Sequence, residues 1–453
     1  MKSFLQRLLP QIFGPPTAQT VSAAAPVPVN SPSPDTKTVA ESPVTGPRRP
    51  LIASDGSIAG FEFRISDHIL GRLGQRIEPH GRSAHVTALL TSARLLAKTG
   101  RTGLARVPID WLAHAAAVEG AAGVWVGLEP ATDLNQQSLL LPTVLQQAQQ
   151  LRAAGAKVGW DPACAWDMAP DFALLQQGTE PMVKLLQQQK SWPAGLQDLP
   201  IVVTDVVDVE DLEMALYHGI HFACGTLAPA GSASAPQQLL PLPPEIHRVG
   251  HLLRELDNGS DTALIVSGIK SDVGLSYDLL KRINSASFAQ IQAGASIDQA
   301  VLLLGRNALY RWLSLLLVRF AGRRKVSSAL QEITLWRSRL LELLAQQNQE
   351  PAPDQLFTLG LASMLSLILK ISPDDVVTTL NLPDPARQAL LEQAGPWQAY
   401  LQIVWQVESH QLDDANDMVA RLGGAAHITA LADEAWAWAW AAEHENRQDG
   451  HRP

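Results

Sequence analysis

The sequence predicts a two-part chain of the class α/β plus all-α: a TIM-type β/α barrel followed by a helical bundle. Three observations carry this expectation. Over residues 48–228, short apolar, β-rich runs alternate with helical stretches ending in glycine, the residue suited to the left-handed position just past a helix. A Pro/Ser/Ala-rich segment, 229–244, then interrupts the chain. Beyond it every patterned stretch has a helical period. At 453 residues with 46% apolar content, the chain can bury two sizeable cores.

In chain order, residues 1–47 are expected to form a disordered tail. Nine of residues 15–50 are proline, and the segment has no period with which to bury a core. Before it, Phe4, Leu5, Leu8, Leu9, Ile12 and Phe13 fall on one face of a short helix, read as a frayed terminus or as a docking or membrane-surface helix. The barrel, 48–228, opens with "LIAS" and "IAGFEFRI" joined by Asp55-Gly56, a dipeptide suited to a hairpin turn. The runs "LARVPID", "GVWVGLE", "AKVGWD", "MVKLL", "IVVTDVV" and "HFACG" supply further strands. Helices such as "TVLQQAQQLRAAG" and "VEDLEMALYHG" separate them. An open doubly wound sheet is the competing arrangement, and the absence of a Gly-rich phosphate loop after any strand counts against its nucleotide-binding form.

After the 229–244 linker, residues 245–445 read as helices. Ser296 and Gln299 form a capping box for a helix over 296–321 that is apolar nearly all round and so is expected at the centre of the bundle. Gly305 within it is expected to let a neighbouring helix approach closely. Further helices are expected near 328–349, 354–370, 373–380, 384–394, 396–409, 412–422 and 425–444. In the last, Trp436 and Trp440 share one face with Trp438 opposite, one face being core and the other free to anchor a partner.

Net charge −9 and pI near 5.7 argue against a nucleic-acid binder, and the short basic runs Arg48-Arg49 and Arg323-Arg324-Lys325 read as solvated surface. Two distant cysteines, Cys164 and Cys224, fit a reducing compartment. The most apolar run, "LYRWLSLLLVRFAG", is broken by Arg311 and Arg319, so no transmembrane segment is expected, and the protein is read as cytoplasmic.

In a parallel barrel, functional groups gather at the C-terminal strand ends. The charged residues there are Glu62, Glu129, Asp161, Lys184, Asp205 and Asp208; several carboxylates together could hold a divalent cation, and singly they read as solvated loop groups. "RRPLIASDGSIAGFEFR" resembles the opening of EAL domains, the cyclic di-GMP phosphodiesterase barrels. "GAKVGWDPACA", "MVKLL" and "VVTDVVDVEDLEMALYHGIHFACGTL" resemble their later motifs in order. The resemblance matches Glu62 to a metal-binding glutamate, Asp161 to the first of two paired aspartates and Lys184 to a catalytic lysine. Glu129 matches a third-strand glutamate, and Asp205 stands where a longer glutamate is expected. Pro162 replaces the second aspartate, Ser66 a phosphate-contacting arginine and Cys224 a glutamine, and the family's second-strand asparagine has no clear match in "ARVPIDWL". Losing a bridging carboxylate and shortening another ligand disables a two-metal site. The five positions Glu62, Glu129, Asp161, Lys184 and Asp205 are therefore read as vestigial, with no catalytic residue, metal or cofactor expected.

"DVGLSYDLLKRINSASFAQIQAGASIDQAVLLLGRNALYRW" resembles the HDOD signature, carried by Leu280, Asn284, Ser285, Ser296, Leu304 and Gly305. HDOD domains resemble metal-dependent HD phosphohydrolases without their His-Asp doublet, and this chain has no such dipeptide. His247, His251, His410, His427 and His444 are scattered and read as surface or satisfied core residues. Together the resemblances imply a non-catalytic bacterial signalling adaptor acting on protein partners through its HDOD domain. A non-hydrolysing cyclic di-GMP receptor is the alternative, and a residual phosphodiesterase the remote one.

Overall fold

The computed structural model describes residues 48–66, 69–70, 79–112, 121–131, 137–164, 166–177, 182–188, 192, 195–207, 209–227, 244–272, 275–276, 279, 296–319 and 326–449. The expected tail, nearly all of the expected linker, Asp208, Leu280, Asn284, Ser285 and the basic run at 323–325 lie outside the described residues.

Strands β1 (Arg49–Ala53) and β2 (Ile58–Arg64) form the expected antiparallel hairpin. Its turn is closed by Gly56, whose N–H donates to Ala53 O (2.8 Å), and by Asp55, whose Oδ1 accepts from Ser57 N (2.9 Å). Helix α1 (Pro79–Ala97), β3 (Thr102–Pro108), the short α2 (Ile109–Leu112), β4 (Val124–Glu129), α3 (Gln137–Ala153) and β5 (Lys157–Gly159) follow. Then come β6 (Ala173–Gln176), α4 (Met182–Gln188), β7 (Ile201–Val206), α5 (Val209–Tyr217) and β8 (Phe222–Gly225). The eight strands run in the order β5-β4-β3-β2-β1-β8-β7-β6, parallel except for β1, which is antiparallel to both neighbours.

A single bridge, Trp160 to Ala173, brings β5 to β6 and nearly closes the barrel. The seam is stapled by Asp171, whose carboxylate takes hydrogen bonds from Val158 N (2.7 Å) and Arg152 Nε (2.8 Å). Arg152 also donates to Ala169 O (2.7 Å).

One expected strand is corrected. "MVKLL" is the helix α4, and the sixth strand is the earlier "ALLQ". A short apolar run has no decisive period, and the glutamines continuing this one favour a helix.

The helical part comprises α6 (Pro244–Asp257), α7 (Thr262–Lys270), α8 (Ile297–Arg319), α9 (Ser327–Gln347), α10 (Pro353–Leu369), α11 (Pro373–Leu380) and α12 (Asp384–Arg387), the last running into a π turn over Gln388–Glu392. It ends with α13 (Gln398–Glu408), α14 (Asp417–Arg421) and α15 (Ala425–Asp449). The capping box forms: Gln299 N donates to Ser296 Oγ (3.3 Å), and Ser296 N to Gln299 Oε1 (2.9 Å). By length and composition α8 could cross a membrane between Ile297 and Val318, where mean hydropathy is 1.4, yet 56% of that window is buried inside the fold. Its Arg311 is buried and pairs with Glu342 of α9 through both carboxylate oxygens (2.7 and 3.0 Å).

Gly305 is also corrected. Its φ of 73° and ψ of 166° kink α8, and a Cβ there would meet nothing within 4 Å. The glycine serves the backbone and admits no close helix neighbour; Leu304 beside it packs half-buried against the core.

The two parts share a face. Ala329 N, in the first turn of α9, donates to Gly56 O at the hairpin tip (3.0 Å). Trp436 of α15 stacks on Trp336 of α9 (4.7 Å, 13°) and meets Phe61 of β2 edge-on (4.7 Å). Arg48 lies over the Phe61 ring (4.7 Å) and pairs with Asp433, while Arg101 pairs with Glu332. Arg48-Arg49 is thus buried structure, contrary to its reading as solvated surface. Trp436 and Trp438 are both buried, and the half-exposed Trp440 carries Arg101 over its ring (5.4 Å). Both tryptophan faces are thus used within the chain, Trp436 and Trp440 toward the barrel and Trp438 against Phe357.

Gly305→Ala and Gly305→Leu should destabilise by the same ~1–3 kcal/mol in urea titrations, because a nearly glycine-only backbone region is penalised and the space is open. A leucine variant much worse than the alanine one would restore the packing explanation.

Candidate functional site

The C-terminal ends of β2, β3, β4 and β7 carry Glu62 and Arg64, Arg106, Glu129 and Asp205 respectively. Beneath them the barrel interior is apolar, filled by Leu51, Leu104, Trp125, Phe172, Leu174, Val202 and Cys224. The charged residues form a layer closing that interior. Arg106, 1% exposed, donates from Nη1 to Glu62 Oε1 (2.7 Å), from Nε (2.9 Å) and Nη2 to Glu129 Oε1, and from Nη2 to Asp205 Oδ2 (2.9 Å). Arg49, antiparallel on β1, donates from Nε to Glu62 Oε2 (2.5 Å) and from Nη2 to Asp205 Oδ1 (2.9 Å). Arg64 Nη1 reaches Asp205 Oδ1 at 3.5 Å.

Asp205 has a left-handed backbone (φ 60°) where the β7–β8 register slips between Val203 and Val206. Such a bulge re-aims a side chain, here toward the mouth. Gly225 accepts the close approach that results: a Cβ there would lie 1.8 Å from Val206 O.

Burial opposes ionisation of Glu62, which is fully enclosed, and the Arg49 and Arg106 guanidiniums outweigh it, holding the carboxyl well below the usual range. The same contest leaves Asp205 lowered, with Arg106 the main counterweight. For Arg106 itself, burial is outweighed by Glu62, Glu129 and Asp205, and the pKa stands well above its ordinary value. Burial, then the negative charge of Glu62, pushes the Cys224 thiol far up. Three carboxylates meet three guanidiniums, so the layer is neutral overall.

Of the residues singled out in the sequence, Glu62, Glu129 and Asp205 come together. Asp161 does not join their ion pairs; it forms a turn with Ala163 N (2.9 Å) at the start of a 3-10 turn, Pro162–Cys164. Lys184 lies exposed on α4, outside the strands, so its match to a strand lysine is withdrawn. Arg49, Arg64 and Arg106 were missed. The signal was present: a lone arginine in the apolar run "LARVPI" must find anions if that run is a buried strand.

His410 was missed too, and is neither surface nor satisfied. It is 4% exposed, and its Nε2 makes no hydrogen bond among the described residues. Burial, then Arg49, pulls its pKa down to about 3, with Arg64 and Arg106 adding to this and Glu62 opposing. It sits just past α13, in the helical part, within electrostatic range of the charged layer.

Residues 239–382 match the HDOD domain family. The chain carries an HDOD domain. The match begins in the expected linker and stops before α12, so α12 to α15, including the His410 segment, lie beyond it. Among curated proteins the chain is 33% identical over 152 residues to the uncharacterized protein YuxH of Bacillus subtilis, and 30% identical over 159 residues to the cyclic di-GMP phosphodiesterase CdgJ of Vibrio cholerae. Each match covers 33% of this chain, and the chain spans only 37% of the length of either relative. Similar solved structures include an EAL domain protein of Listeria monocytogenes (11% identity, TM-score 0.29, 39% of this chain and 84% of that one). Another is the Xanthomonas citri FimX EAL domain in complex with c-diGMP (12% identity, TM-score 0.25, 39% and 83%). At those scores the likeness adds no weight, and the barrel stands on its own strand pairing.

Arg106→Met should cost about 3–5 kcal/mol in urea unfolding, because it leaves buried carboxylates uncompensated, whereas Arg387→Met at an exposed pair should cost about 0–1 kcal/mol. Equal effects would remove Arg106 as the brace of the layer.

A pH series isolates His410. Its folded pKa lies below the ordinary 6.5, so the unfolded chain takes up a proton first and stability is lost as pH falls below that value. Relative to His410→Gly, the parent should lose stability between pH 7 and about 5; parallel curves would place the imidazole in water.

Proposed function

We propose that this chain is a non-catalytic signalling adaptor of a cyclic di-GMP network, acting on protein partners through its helical part, with a barrel whose mouth is closed to metal chemistry. The observation that carries this reading is the guanidinium layer. Hydrolysis of a phosphodiester by two metal ions needs carboxylate oxygens free to bridge ions ~3.5–4 Å apart. Here both oxygens of Glu62 and both of Asp205 already accept from arginines, and Glu129 accepts twice from Arg106. Arginine does not surrender its proton, so these cations cannot be titrated out of the way. No group of three metal-ligating side chains is placed to hold an ion among the described residues. The residues present do not fit the two metals that the resemblance implies. The turn after β5, with Asp161 folded onto Ala163 N, and a β6 without lysine point the same way.

The HDOD domain supports the adaptor half of the proposal, and the name of the Vibrio cholerae relative supplies the class of messenger. A receptor reading draws on Arg49, Arg64 and Arg106 as phosphate-binding groups, but carboxylates already neutralise all three.

With Mg²⁺ or Mn²⁺, the purified full-length chain should leave cyclic di-GMP intact by chromatography, and calorimetry should show no binding. Turnover abolished by Glu62→Ala in a folded protein would falsify the inactive-barrel reading. Binding weakened by Arg64→Ala, without turnover, would convert the adaptor into a receptor.

A further inference from the structure

The end of α13 is held over the barrel by contacts that its own capping does not need. Past Glu408 the helix closes with two bonds typical of a left-handed cap: His410 N donates to Val407 O (3.3 Å), and Gln411 N to Gln406 O (2.8 Å). The left-handed residue is His410 (φ 59°), at a place where glycine is the ordinary choice and a side chain is tolerated at a cost. The imidazole is nevertheless buried, with Nε2 unpartnered and within electrostatic reach of Arg49, Glu62, Arg64 and Arg106.

Two residues earlier, Glu408 pairs with Arg337 of α9 through both oxygens (2.5 and 2.7 Å). The same guanidinium donates to Leu227 O just past β8 (2.7 Å). One arginine therefore ties the exit of the barrel to the helix end that presents His410. A cap alone would favour glycine and would leave Glu408 in water.

We infer that the α13 terminus is an intramolecular latch, with His410 as the plug of the barrel mouth and Arg337–Glu408–Leu227 as its clasp, so that release of α13 and opening of the mouth are one event. This goes beyond the adaptor reading and does not rest on it, since a mouth can be latched whether or not the barrel hydrolyses anything.

Cys224 reports on the mouth. It is buried directly beneath the charged layer, and Cys164→Ser makes it the chain's single thiol. In that background an uncharged maleimide should label Cys224 slowly, and His410→Gly, which suits the left-handed cap, should raise the rate about tenfold. Amides of α10 should meanwhile exchange at the parent rate. The paired change Arg337→Met with Glu408→Met leaves no lone buried charge and should act in the same direction. Labelling of His410→Gly at the parent rate would overturn the latch. So would faster labelling matched by faster α10 exchange, because His410 would then be ordinary core. If the paired variant does not fold, His410→Gly decides alone. Neither readout involves cyclic di-GMP, so turnover would sink the adaptor reading while leaving the latch intact.

Discussion

A guanidinium with 1% of its surface exposed has lost its hydration, and Arg106 persists at the end of β3 because three carboxylates replace that water. Taken from water alone, any one of these charges would cost several kcal/mol; together they compensate one another only if every partner is in place. The layer is therefore close to all-or-none. It also reaches further than the backbone ladder. A hydrogen-bonded sheet ties each strand to its neighbours, whereas Arg106 and Arg49 tie β1, β2, β3, β4 and β7 across the barrel. The seam between β5 and β6 is outside this brace and rests on backbone bonds from Asp171 N to Val158 O (2.8 Å) and Leu174 N to Trp160 O (3.1 Å) together with the Asp171 staple.

The barrel is closed at its two ends by different physics. At the β4 start, Trp125 packs against Phe172 and Phe222 (4.8 and 5.1 Å) with Lys157 over its face (4.5 Å). That end is apolar burial with a cation lid. At the other end the carboxylates that parallel strands bring together would repel one another if left alone. A metal ion and an arginine both solve that problem, with opposite consequences. A metal leaves coordination positions for water or substrate. A planar fork of N–H donors takes up the oxygens a metal would need, here both of Glu62, both of Asp205 and Oε1 of Glu129. Here the cations that meet the carboxylates are arginines.

The barrel and the succession of helices were legible because they rest on period and punctuation. The hairpin at Asp55-Gly56, the glycines after α3 and α5 and the Ser296 capping box are local signals, and each formed as read. The errors fall where local signals compete or vanish. "ALLQ" and "MVKLL" are both short apolar runs, and only pairing with β7 decides that the first is the strand. Gly305 was read by size when its φ was the reason for it. The layer was half legible: its carboxylates stood out at strand ends, whereas its arginines passed as surface charge. His410 had no local signal. The charged groups that act on it, Arg49, Glu62, Arg64 and Arg106, lie more than 300 residues away in the chain, which no periodicity records.

Phe61 and Glu62 are adjacent on β2 and so face opposite sides of the sheet. Phe61 meets Trp436, and through it Trp336, while Glu62 meets Arg49 and Arg106 inside the barrel. One strand position thus carries the packing of the helical part, and the next carries the ionic layer. Arg48, just before β1, and Arg49, its first residue, repeat the arrangement, the first paired with Asp433 of α15 and the second with Glu62 and Asp205. A close-packed core does not deform by degrees, so a shift of α15 or α9 against the hairpin cannot be absorbed at Phe61 without moving the backbone that sets Glu62. Arg337 of α9, bound to Leu227 O just past β8, adds a second tie between the helical part and the barrel. The mouth and the helical surface are therefore parts of one mechanical unit. A change of state can be transmitted through that unit whatever the chemistry of the mouth, because transmission needs coupled packing and no reactive group.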